Sequence, residues 1–94
     1  MQKKYYVYIL SNHTHTTLYI GITNDIHRRI FEHKNHVARN SFTKKYRIYK
    51  LLWFQEFREV EEAIMWEKRI KSWRREKKFK LIRDKNPLFR NLMQ

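Results

Sequence analysis

Three kinds of side chain in this sequence could together break a phosphodiester bond. Tyr8 and Tyr19 stand in two short apolar stretches, Tyr6-Val7-Tyr8 and Tyr19-Ile20-Gly21, Arg29 follows shortly after, and Glu67 lies far along the chain. A phenol can move a proton, a guanidinium can hold a phosphate, and a carboxylate can hold a hard cation such as Mg²⁺. Such chemistry needs a polyanion as its substrate. The chain is suited to one, with 22 Lys and Arg against 9 Asp and Glu, a net charge of +13 and a pI near 10.3. So large an excess repels itself in a compact domain, and it points to DNA, RNA or an anionic membrane surface as partner.

The elements that must position these groups follow from periodicity. Residues 5–10 are aromatic and β-branched and read as a strand, with Tyr6, Tyr8 and Leu10 on one face and Tyr5, Val7 and Ile9 on the other. Residues 11–16 are polar and turn-like, and 18–22 form a second strand with Tyr19 and Gly21 opposite Leu18, Ile20 and Ile22. The short connection makes a hairpin the economical pairing. Asn24 is placed to cap a helix running to about residue 34, with Asp25 in its positive first turn. Residues 37–43 read as a loop, 46–57 as a third strand, and 59–73 as a helix. A last, basic helix over 75–83 must end before Asn86-Pro87, because the residue preceding proline is pushed out of the helical region.

Helical phase locates the polar groups. At about 100° per residue, Val60, Ala63, Ile64 and Ile70 form one apolar stripe, and Glu67 falls in its middle. A carboxylate on a buried face is costly unless it is paired or holds a metal. Two readings follow: a metal ligand, or a Glu that reaches the rim and pairs with a Lys or Arg. On the first helix Ile26 and Ile30 mark the inner face, and Arg29 and His33 share it, whereas Arg28 points elsewhere. An inward Arg, His and Glu suggest a polar pocket at the edge of the core. The tyrosines could equally be cross-strand packing. The other histidines form no recognisable ligand set, and zinc is disfavoured because the chain has no Cys. Ser41 and Thr43 show no activating partner. The single glycine, Gly21, sits at a strand end, as a close backbone approach or an unusual turn would require.

Together the segments Tyr6-Val7-Tyr8, Leu18-Tyr19-Ile20-Gly21-Ile22-Thr23-Asn24, Arg28-Arg29 and His33 resemble the GIY-YIG nuclease domain, and more closely its small standalone bacterial members. Ser41-Phe42-Thr43-Lys44-Lys45-Tyr46, Glu67-Lys68-Arg69-Ile70-Lys71-Ser72-Trp73, Leu81-Ile82 and Asn86-Pro87 extend the match almost end to end. Tyr6 replaces the first glycine of the name-giving triplet, a residue that contributes no chemical group. The resemblance implies an α+β fold, a three-stranded antiparallel sheet flanked by helices. It implies that Tyr19 takes the proton from the attacking water and that Tyr8 lines the site, orienting that water or sharing the proton. Arg29 would hold the scissile phosphate, and His33 would assist proton transfer or position the phosphate. Glu67 would bind one Mg²⁺ or Mn²⁺. The general base stays open among Tyr8, Tyr19 and His33. A tyrosine of ordinary pKa, about 10, is a poor base at neutral pH, and a nearby Arg and metal would favour its phenolate.

Residues 1–94 then make one domain, with the basic helix and tail from about residue 74 as part of it. The expected function is a divalent-metal-dependent DNA endonuclease, structure-selective or weakly sequence-specific, serving repair or recombination. The alternative is a nucleic-acid-binding module with an idle site. DNA is preferred over RNA. A membrane is disfavoured because the basic helix has no broad apolar face, and the stretch 5–10 is too short for a signal core or a span, so a cytoplasmic protein is expected. Arg28, Lys44, Lys45, Arg74, Arg75, Lys77 and Lys78 are the expected phosphate contacts. Cation contacts release condensed counterions, so affinity for nucleic acid should fall steeply with salt. Neutralising Arg74, Arg75, Lys77 and Lys78 together should weaken binding across all sequences and flatten that slope. Titrations at several salt concentrations check this, and a flat dependence in the wild type would exclude a phosphate grip.

Overall fold

A computed structural model describes residues 3–34 and 47–93. The expected loop at 37–43, together with Lys44 and Lys45, lies outside the described residues. The elements run β1 (Tyr5–Ser11), β2 (Leu18–Thr23), α1 (Ile26–Lys34), β3 (Lys50–Phe57), α2 (Val60–Ser72) and α3 (Arg75–Lys85). The strands form one antiparallel sheet in the order β2-β1-β3, the α+β arrangement that the family resemblance implies. Among the described residues no helix is long and apolar enough to cross a membrane.

Central β1 is covered on both faces, which explains why both of its alternating sets are apolar or aromatic. Val7, Ile9 and Ile20 pack with Ala63 and Ile70 of α2 and Ile82 of α3. On the opposite face Tyr8 and Leu10 pack with Ile26 and Ile30 of α1 and with Ile48 and Leu51. The sheet is therefore sandwiched, with α1 on one side and α2 and α3 on the other. The third strand begins later than expected, and its pairing with β1 shifts between Ile9 and Leu10, so that Ile9 faces Trp53 while Leu10 faces Leu51. Such a bulge turns side chains that strict alternation would place together. Leu52 and Trp53 consequently share the α2 side, and Leu51 turns to the α1 side.

Two local details correct the expectations, and a third, the helix end before Asn86, is borne out with an added role. Asp25, not Asn24, caps α1: its carboxylate accepts from the Arg28 N–H at 3.1 Å, and its carbonyl accepts from the Arg29 N–H at 3.1 Å. On α2, Ile64 is 40% exposed, so the seated positions are Ala63 and Ile70. The helix is rotated so that its inner face is shared with Trp66 rather than with Ile64. Finally, buried Asn86 is more than a helix stop. Its amide donates to the Leu52 and Arg90 carbonyls at 3.0 and 2.8 Å and its Oδ1 accepts from the Arg90 N–H at 3.0 Å. With Leu92 donating to the Leu51 carbonyl at 2.8 Å, the tail covers the start of the β3 edge.

Gly21 is required by contact rather than by backbone angle, since it has no positive φ. It pairs with Tyr8 across the strands, and a Cβ added there would lie 2.4 Å from both Cζ and Oη of the Tyr8 ring. Gly21→Ala should therefore cost stability of the order seen for overpacking, about 1–3 kcal/mol, as measured by chemical denaturation. The cost should shrink in a Tyr8→Ala background, where the ring is gone; an unchanged cost would show that the close contact is not the cause.

Candidate active site

β1 and α1 together build the dry side of the site. The Tyr8 ring leans from β1 across Gly21 of β2 and is only 2% exposed. Tyr19, half-buried on β2, stands on the same face with its ring centroid 6.4 Å away. Arg29 comes from the inner side of α1, where Ile26 and Ile30 are buried as the phase requires. Its Nε is buried and has no hydrogen-bond partner among the described residues. An unsatisfied buried guanidinium nitrogen is costly, and an anion arriving at the rest of that group would offset the cost.

Glu67 stands on α2, which touches all three strands. Its side chain is 14% exposed, and its carboxylate pairs with Lys71 Nζ at 2.8 Å, one turn on. Glu67 is thus inward and paired at the rim, the second of the two readings that its phase raised. The grouping is felt at Tyr8. Burial pushes the Tyr8 phenol above its ordinary value, the Tyr19 phenol and the Glu32 and Glu67 carboxylates push it the same way, and Arg29 opposes them. Tyr8 and Tyr19 are thus neighbours, and Arg29 and Glu67 lie within electrostatic reach of Tyr8. His33 lies in α1, and its side chain is outside the described residues.

Glu32 is the member that periodicity does not single out. It is half-buried on α1 and 3.8 Å from Arg28 Nε, a pairing that reads in the sequence as an ordinary exposed helical ion pair. Its charge nevertheless reaches Tyr8. Tyr6, in the place of the triplet glycine, packs edge-on against Phe54 at 6.3 Å and donates to Glu56 at 3.3 Å.

The expected phosphate contacts divide. Arg28 is exposed beside the site, and Arg74 is exposed at the start of α3. Arg75 is partly occupied, donating to the His15 carbonyl and stacking on Phe79 at 4.8 Å. Lys77 lies over Trp73 at 4.3 Å, and Lys78 is half-buried. Helix α3 packs on the sheet face opposite α1, so the basic helix and the tyrosine pair do not share one face. No group of three or more His, Cys, Asp or Glu among the described residues could enclose a metal. A cation here would have one protein carboxylate, Glu67, as its ligand. That donor set fits Mg²⁺, which keeps several waters and takes substrate phosphate as further ligands.

A hairpin carrying two tyrosines against an inward arginine, with a glutamate brought in from a later helix, defines a nuclease-type domain. The sequence matches the GIY-YIG catalytic domain over residues 4–80, and the chain belongs to that family. It is 37% identical over 79 residues to the UPF0213 protein SSP2268 of Staphylococcus saprophyticus, covering 84% of this chain and 94% of that one. The solution structure of the UPF0213 protein BH0048 from Bacillus halodurans is similar, with a TM-score of 0.59 and 30% identity over 94% of this chain and 92% of that one.

The raised Tyr8 pKa carries a sign. Folding favours the protonated phenol, so its contribution is fully present below the unfolded value, about pH 10, and is lost as pH rises above it. Wild type should lose more stability between pH 9 and pH 11 than Tyr8→Phe does, as read by urea denaturation at each pH. Equal losses would mean that the Tyr8 phenol is not held protonated by the fold.

Proposed function

We propose that the protein is a divalent-metal-dependent endonuclease that hydrolyses phosphodiester bonds in DNA, acting as a single unit over residues 1–94. The observation that carries this reading is the buried Arg29 Nε without a partner, set beside Tyr8, Tyr19 and Glu67. In this mechanism Arg29 binds a non-bridging oxygen of the scissile phosphate and stabilises the charge that builds up as water attacks phosphorus. Tyr19 takes the proton of that water. Tyr8, kept protonated by its surroundings, donates a hydrogen bond that orients the water or the phosphate rather than serving as base. The bond from phosphorus to the leaving oxygen breaks, and that oxygen leaves with the electron pair and is protonated. Glu67 would hold one Mg²⁺ or Mn²⁺, which when bound supplies positive charge near the leaving oxygen. His33 would assist proton transfer or position the phosphate. A domain this small offers little surface for reading a long site, which favours structure-selective or weakly specific cutting in repair or recombination.

One observation favours the alternative, a binding module with an idle site: Lys71 already occupies the Glu67 carboxylate. A labelled panel of single-stranded, duplex, flap and branched DNA and RNA, with and without Mg²⁺ or Mn²⁺, separates the two. Cleavage should require the ion. Glu67→Ala should abolish it while leaving most binding, and Arg29→Ala should slow it by about 10²–10³. Tyr19→Phe, which removes only a hydroxyl, should remove cutting without unfolding the protein. Full cutting by both Glu67→Ala and Tyr19→Phe, with contaminating nuclease excluded, would sink the mechanism. Wild type that binds but never cuts would establish the idle module.

A further inference from the structure

All three tryptophans of the chain line one cavity of about 240 Å³ on the side of the sheet away from Tyr8. Trp53, Gln55 and Phe57 supply its floor as alternate residues of β3, while Trp66 on α2 and Trp73 at its C-terminal end form its wall. Gln55, Phe57, Trp66 and Trp73 are half-buried, so the cavity opens to solvent. A cation stands over each indole: Arg69 over Trp66 at 4.7 Å, Lys77 over Trp73 at 4.3 Å and Lys85 over Trp53 at 5.7 Å. Lys85 also donates to Gln55 Oε1 at 2.6 Å. Trp53 Nε1 is a buried donor with no partner among the described residues.

We propose that this cavity is a stacking subsite for one unpaired nucleobase of a nucleic-acid strand whose phosphates are held by Arg69, Lys77 and Lys85. The chemistry narrows the occupant. Three rim cations exclude a cationic guest, which an aromatic cage would otherwise favour. Aromatic walls do not suit a bare phosphate. The volume is below the range of about 300–1,000 Å³ common for drug-sized ligands, so it suits a single flat ring system rather than a larger molecule. A nucleobase has a π-face for the indoles, polar edges for the Gln55 amide, and flanking phosphates for the cations. Aromatic platforms within a basic groove are how unpaired strands are held without sequence reading. Stacked lysine and arginine stems would otherwise serve only to cover apolar rings; here they can swing to phosphate as the base enters.

The inference rests on the nucleic-acid reading of the protein but not on cleavage. Because every tryptophan lines the cavity, fluorescence excited at the red edge, where tyrosine does not absorb, reports on it. The full chain, in chelator so that nothing is cut, is titrated with a short single-stranded oligothymidylate and with an oligomer of equal length and charge built of abasic sites. The base-bearing strand should quench the fluorescence and bind at least about tenfold tighter than the abasic strand, while a blunt duplex should quench little. Trp66→Leu or Trp73→Leu should weaken oligothymidylate binding by about 5- to 140-fold, the equivalent of about 1–3 kcal/mol per stacked base, and leave abasic binding unchanged. If either variant fails to fold by circular dichroism, the wild-type comparison of the two strands decides the matter. Equal affinity for both strands without quenching overturns the subsite and leaves the phosphate grip standing. Quenching by an acidic tyrosine-bearing peptide, with the oligothymidylate inert, overturns it in favour of a protein partner. Binding of none of these removes the nucleic-acid reading itself, and the subsite with it.

Discussion

The site depends on the passage of the Tyr8 ring over Gly21. A tyrosine on a central strand ordinarily stands up from the sheet, but here it lies across its neighbour, where no Cβ could fit. That lean lets α1 close over the ring with Ile26 and Ile30. Closure removes the phenol from water and raises the cost of ionising it. The same closure buries the Arg29 Nε without a partner. The Tyr8 ring and the Arg29 Nε are thus desolvated, and charges in such surroundings act more strongly than they would in water.

Helix α2 serves both sides of the molecule. Ala63 and Ile70 seat it against the sheet, and the roughly 100° turn per residue sends neighbouring side chains to different surroundings. Glu67 acts on Tyr8, while Trp66 lines the tryptophan cavity. Neither role is free of cost, since Glu67 is mostly removed from solvent and is satisfied by Lys71. The remaining ion pairs among the described residues, exposed Lys4 with Glu56 and exposed Arg28 with half-buried Glu32, are long, at 3.7 and 3.8 Å. Pairs of that kind are worth about 0–1 kcal/mol. The basic excess therefore does little for the fold itself, and its physical sense lies in an anionic partner.

Much of this was legible beforehand because it depends on period alone. Two-residue alternation separates Tyr8 and Leu10 from Val7 and Ile9, and the packing honours that division. Helical phase brings Arg29 to the same side as Ile26 and Ile30, and the lone glycine marks a close approach. Phase fails where an element meets a particular neighbour. Ile64 shares the stripe on paper but is 40% exposed, because the helix seats on the sheet through Ala63 and Ile70. Glu32 reads as half of a surface pair until α1 is laid beside Tyr8. The capping role passes from Asn24 to Asp25 because boundaries depend on the turn that Thr23 and Asp25 make together.

By itself, then, the sequence determined the order and kind of the elements, the inward faces of β1 and α1, and the family. Those are properties of spacing along one chain. Only the tertiary structure decided that Tyr8 is sealed while Tyr19 stays half-open, that Lys71 holds Glu67, that a bulge turns Leu51 away from Trp53, and that three tryptophans gather behind the sheet. Each of these depends on what lies across a gap between elements, where burial sets the local dielectric and the contacts, and no periodicity within a strand or helix encodes its neighbour.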